Sequence, residues 1–217
     1  EVLALAGQLR GQNILGADLD TERARLLTSG WVKDATLRRL LPATIEIVIT
    51  ERTPMGLGRF SGRLYLVDAA GTVIDEYGPG VSDLDLPIID GLSIGSDDEI
   101  VVDRARARLA ARLIAEVDSR HELARRISEI DVHDPRDAVV LVSGDPALVH
   151  LGNERFAERL QEYLELAPAL RARVPDIDSV DLRFEHRVYV RPVGAAGGQT
   201  PTVRLVRRGQ SGAVIGR

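Results

Sequence analysis

"GWVKDATLRRLLPATIEIVITERTP", residues 30–54, decides how this chain divides. Ile45, Ile47 and Ile49 alternate with Glu46, Val48 and Thr50, the spacing of a strand with one buried face. Pro42 breaks the chain just before that strand, and Pro54 stops it just after the charged pair Glu51-Arg52. The segment also holds the only Trp, Trp31, and the only lysine, Lys33. A strand–turn–strand unit that ends in a charged pair beside a proline reads as one small module handing over to another.

The totals bound what those modules can be. The chain has 217 residues, 44% hydrophobic and 28% charged, a soluble globular composition with room for one large domain or two small ones. Aromatics are only 4%, so the cores must be built from Leu, Val, Ile and Ala. Without cysteine, disulfides and thiolate metal sites are excluded. A net charge of −5 argues against a nucleic-acid surface, which needs concentrated positive charge. No run approaches the ~20 apolar residues of a membrane span. The chain opens at Glu1 in helical text, and this predicts further chain upstream. A polar segment, one apolar span and an extended strand are expected there.

The reading along the chain is α+β. Two short helices are predicted over residues 1–29, the second capped by Asp20. Strand text follows over 31–37 and 44–51. Two strands make a marginal sheet, which a further strand upstream would complete. After Pro54, "RLYLVDAAGTVIDEY" reads as a hairpin turning at residues 68–71. A helix is predicted over residues 97–119, its apolar face running through Ile100, Ala107, Ala110, Leu113, Ile114 and Val117. A three-stranded meander follows over 126–133, 138–143 and 147–151. Asn153 is expected to cap a second helix with Phe156, Leu160, Leu164 and Leu170 on its face. "SVDLRF" and "RVYVRP" close the domain, and 193–217, with six glycines and no acid, reads as a flexible basic tail.

Catalytic constellations are missing from this text. His121, His133, His150 and His186 are far apart and form no zincin-type pair; His133 and His150 meet only if neighbouring strands bring them together. Ser143 in "LVSGDP" lacks the nucleophile elbow. "GLGRF" and "YGPG" lack the Lys-Ser/Thr of a phosphate loop. No cofactor or metal is expected.

The ordered features resemble a known family. "GQNILGADLDTERARLLTSGWVKDATLRRLLPATIEIVITERTP" is similar to the second part of the polypeptide-transport-associated (POTRA) module of the bacterial division proteins FtsQ and DivIB. The shared features are Gly11 to Asn13 and the string from Trp31 to Pro54. "LYLVDAAGTVI", "LPIIDG", "VHLG" and "VDLRFEHRVYVRP" match that family's second, β domain in order and spacing. Residues 1–53 are thereby expected to form a POTRA domain lacking its first strand. Residues 54–192 should form a mixed β domain with two helices packed on a curved sheet, and 193–217 the tail. Residues 55–58 depart from the pattern. They predict a loose boundary at 54–59, open to proteases before the core is.

The resemblance implies a non-enzymatic scaffold of the division machinery at the septum. It would be held in the cytoplasmic membrane by one helix, with this portion outside. Implied partners are the coiled-coil proteins FtsB and FtsL, with others through the POTRA module, in the control of septal peptidoglycan synthesis. Two other readings stay open: a POTRA-bearing outer-membrane assembly or secretion component, and a hydrolase with an unrecognised site. The strand "RVYVRP", short, arginine-flanked and ended by Pro192, has the devices of an exposed sheet edge. Members of the family bind FtsB by strand addition at this end. The candidate docking residues are therefore Arg183, Phe184, Glu185, Arg187, Val188, Tyr189, Val190 and Arg191, with the arginines offered to acids on the partner. Glu51, Arg52 and Pro54 are the candidate domain junction.

Overall fold

The computed structural model describes residues 13–93, 100–174, 176–184 and 187–194, and the backbone of 202–206 and 214–216. Glu185, His186 and the first predicted helix lie outside the described residues. The architecture is α+β. Its helices are α1 (Leu19–Leu26), α2 (Arg104–Asp118), α3 (His121–Ala124) and α4 (Phe156–Arg173). The strands are β1 (Val32–Leu40), β2 (Thr44–Glu51), β3 (Pro54–Phe60), β4 (Arg63–Asp68), β5 (Val73–Glu76), β6 (Ile88–Asp90), β7 (Ile127–Asp134), β8 (Asp137–Val142), β9 (Leu148–Gly152), β10 (Ile177–Asp181), β11 (Val188–Pro192), β12 (Thr202–Val206) and β13 (Val214–Gly216).

β1 and β2 form an antiparallel pair of their own, and β2 has the bounds its isoleucines and prolines predict. α1 covers this pair through a small core of Leu26, Val32 and Ala35. The cap of α1 is Asp18 rather than Asp20: the Asp18 carboxylate accepts from the backbone N–H groups of Asp20 and Thr21. An N-cap acceptor must stand two or three residues ahead of the N–H it serves, and only Asp18 does.

The remaining strands make one mixed sheet, β13-β12-β11-β10-β9-β8-β7-β6-β3-β4-β5. α2 and α4 pack on it over the main core, which includes Leu113, Val117, Ile130, Val140, Phe156 and Leu160. α4 is the crossover between parallel strands β9 and β10, as a βαβ connection requires. The cap of α2 is Asp103, and Ile100 lies outside the helix and exposed. α4 begins after Arg155, in the left-handed region, with no side-chain cap of its own; Asn153 does not cap it. Glu116 of α2 instead accepts the N–H of Ala157, so one helix closes the end of the other.

The expected loose boundary is not found. Residues 54–60 are a strand hydrogen-bonded on both sides, to β4 and to β6, and Met55, Gly56, Leu57 and Gly58 are buried. Both faces of β3 are covered, so its sequence carries no alternation. A bulge between Pro54 and Gly56 turns Met55 toward the main core, while Leu57 joins a second cluster with Leu66 and Ile74 on the opposite face. Protease attack at 54–59 is therefore not expected to come first.

Trp31 belongs to that second cluster, although it lies at the start of the β1–β2 unit. Its Nε1 donates to Asp75 Oδ2 over 3.0 Å. Gly30 is equally committed: a Cβ there would stand 1.9 Å from the backbone oxygen of Ile74. The two units thus meet backbone to backbone.

Candidate functional site

At the junction, Arg52 crosses from one unit to the other. Its Nη1 donates to Asp68 Oδ2 over 2.8 Å, and its backbone N–H donates to the carbonyl of Trp31. Asp68 is buried at the end of β4, and its carbonyl accepts from the N–H of Gly71 in the turn that follows, which the sequence placed at residues 68–71. Burial alone would raise its carboxyl, but the N–H of Thr72, the Arg52 guanidinium and the N–H of Ala70 outweigh that and hold it below the ordinary range. Glu51 is exposed at the end of β2, opposite Val32, and Pro54 opens β3.

The proposed docking end is built by β9, β10 and β11. Residues 180, 182, 188 and 190 alternate as read, and Val180, Leu182, Val188 and Val190 are all buried. Val188 and Val190 therefore hold β11 to the core, and neither is available to a partner. Outward stand Phe184, half exposed, and Tyr189, with ring centroids 4.9 Å apart and planes inclined at 67°. An edge-on aromatic pair open to solvent is a ready apolar anchor.

The arginines are placed differently from the expectation. Arg183 is spent within its own chain: Nη1 lies 3.0 Å from Asp137, while Nε and Nη2 donate to Asp181 over 2.9 and 2.6 Å. Asp137, on β8, is buried, and it also accepts the N–H of Gly152 and faces His150 Nδ1 at 2.8 Å. Burial raises the Asp181 carboxyl, but the bonds from Arg183 prevail and hold it below its ordinary value. Beneath this knot the buried Arg159 donates to the carbonyls of Leu151 and Glu154. Gly152, at φ +76°, leaves room for it: a Cβ there would meet Arg159 Nη1 at 2.9 Å. Arg191 pairs with Asp178 at 2.8 Å. Of the three arginines offered to a partner, only Arg187 shows no ion pair among the described residues.

A larger correction concerns the edge. β11 is not terminal: β12 pairs with it antiparallel, Val188 opposite Val203 and Tyr189 opposite Thr202, and β13 pairs with β12. The segment read as a flexible basic tail carries two strands.

His133 and His150 do not meet. His133 lies against Asp131 and His150 against Asp137. Among the described residues no group of three or more His, Asp or Glu could hold a metal. One acidic cluster remains, on the parallel seam of β6 and β7, where Asp90 stands opposite Asp131. Burial, a hydrogen bond with Glu129 and the charge of Asp131 push Asp90 up to about 7, against the Arg59 guanidinium 3.0 Å away. A carboxyl raised on folding stabilises most below its unfolded value, and that contribution is lost as pH climbs toward 7. Asp90→Asn should accordingly be more stable than the natural chain at pH 8 by about 1 kcal/mol, a figure discounted for the site's partial exposure. The advantage should vanish by about pH 4, which thermal melts at both pH values would show.

The sequence profile described as Cell division protein FtsQ/DivIB, C-terminal, matches residues 58–183, and that of the FtsQ-type POTRA domain matches residues 1–52. The chain is similar to Cell division protein FtsQ of Koribacter versatilis (strain Ellin345), 30% identical over 209 residues, which is 95% of this chain and 60% of that protein. It is 32% identical to Cell division protein FtsQ of Anaeromyxobacter sp. (strain K) over 207 residues, covering 91% of this chain and 68% of the relative. The chain thus spans about two thirds of these proteins or less. The extracytoplasmic domain of DivIB from Geobacillus stearothermophilus superposes with a TM-score of 0.36 at 17% identity, over 58% of this chain and 98% of that one.

Proposed function

Because the chain belongs to the FtsQ/DivIB family of cell-division proteins, we propose that it is a non-enzymatic scaffold of the division machinery, and that its β10–β11 end captures an extended segment of an FtsB-like partner. In this reading FtsL joins through FtsB, the β1–β2 unit with α1 serves further division proteins, and the assembly helps control septal peptidoglycan synthesis. The protein acts outside the cytoplasmic membrane, to which one N-terminal membrane helix anchors it. The units meet at residue 53, with Arg52 and Asp68 as the clasp.

The observation that supports docking is the Phe184–Tyr189 pair, with Phe184 half exposed beside the end of β10. Main-chain pairing along β11 would supply affinity, and the aromatic pair would supply the anchor. His133 faces Asp131 and His150 faces Asp137, each in a pair of its own.

Phe184→Ala is the test, because an exposed side chain can be truncated with little effect on folding. Calorimetric titration with the extracytoplasmic segment of FtsB should show affinity reduced about 30-fold, the loss of one central anchor. Unchanged affinity in a variant that melts like the natural chain would rule out this surface.

A further inference from the structure

The position a partner's strand would take on β11 is filled by the chain itself. β12 lies antiparallel along β11, and only two register positions join them, Val188 with Val203 and Tyr189 with Thr202. The β10–β11 pairing has four such positions, and β3–β4 has six. The segment between β11 and β12, residues 193–201, is short and glycine-rich. We propose that Thr202–Val206 is a placeholder strand, so that a partner docks by strand exchange and the tail sets how tightly it binds. This rests on β11 being the docking strand.

The physical argument is competition. An open edge exposes a row of unpaired N–H and C=O groups, a template for aggregation, and covering it protects the free protein. A tethered strand meets its edge at an effective concentration set by the linker, in the millimolar range for short flexible ones. A partner must therefore displace it, and its apparent affinity falls by the fraction of molecules in which the edge is open. Pairing at only two positions keeps that penalty surmountable. The segment 202–206, "TVRLV", holds three β-branched residues, Thr202, Val203 and Val206, as strands favour, and carries Arg204, and the whole tail holds no acid. With basic residues and no acid, the tail has no ion pair of its own to hold it, which suits a resting cover.

Val203→Pro in the full chain tests this, since proline is disfavoured within a paired strand and the change leaves the sequence of β11 untouched. Titrated with the extracytoplasmic segment of FtsB, the variant should bind about tenfold more tightly than the natural chain. In the free protein, amide exchange along β11 should become faster. Unchanged or weaker binding, or unchanged exchange, would overturn the placeholder. A second variant with residues 202–206 replaced by glycine and serine gives the same readings should the proline variant misfold. The two ideas fail separately: loss of the docking surface shows in Phe184→Ala, which keeps the tail, whereas loss of the placeholder shows only in the tail variants.

Discussion

Tyr189→Pro should abolish capture of the FtsB segment, at least a 100-fold loss of affinity, and loosen the C-terminal end of the sheet by about 3 kcal/mol. Tyr189 stands opposite Asp181 on β10 and Thr202 on β12. Proline has no N–H, so whichever neighbour that donor serves loses a ladder bond. The aromatic contact with Phe184 goes as well. The chain should still fold, because Val188 and Val190 remain buried on either side and tie β11 to the main core. Calorimetric titration beside circular-dichroism melts separates the two effects. Wild-type affinity in a folded variant would place the partner elsewhere.

Arg183→Glu should be damaging for a reason unrelated to any partner. It sets a third carboxylate against Asp137, whose side chain keeps 8% of its exposure, and against Asp181. Removing one member of a buried pair strands the other charge, usually at a loss of 3–5 kcal/mol. Arg183 itself is 41% exposed, so the expected loss is at the lower end, about 3 kcal/mol or roughly 6–12 °C in melting temperature for a chain of this size. Thermal melts measure it directly, and a shift under about 2 °C would mean that solvent relaxes the knot. Arg183 thus ties the chain just before Phe184 to Asp137 and Asp181.

What could be read in the sequence, and what could not, follows from how each element buries its faces. β2 was legible to its last residue because one face is open, which writes alternation into the text, and because prolines flank it. β3 was misread because both its faces are covered and two of its positions are glycine. At Gly56 and Gly58 a Cβ would collide with Ile89 and with Phe60 and Val67, so close packing has removed the side chains that announce a strand. The caps were missed by two residues or so, since Asp18 and Asp20 are equal as text and geometry alone distinguishes them. At the docking end, Tyr189 could be read from its alternation with Val188 and Val190. Alternation set Phe184 with the buried Val180 and Leu182, but the strand ends at Asp181 and Phe184 stands outward. The knot beneath them could not be read, because Asp137 lies on a strand two places across the sheet and no local pattern joins it to Arg183. The tail strands hide in glycine-rich text whose pairing depends on an edge formed elsewhere in the chain.

Trp31 gives the molecule a built-in optical probe. It is the chain's single tryptophan, and it sits in the seam between the β1–β2 unit and the large sheet, its indole N–H held by Asp75. Emission excited selectively from tryptophan, apart from the four tyrosines, therefore originates from one address. It reports the parting of the two units, while far-ultraviolet ellipticity follows the sheet, and a lag between the two signals on denaturation would time the opening of the joint against the loss of the core.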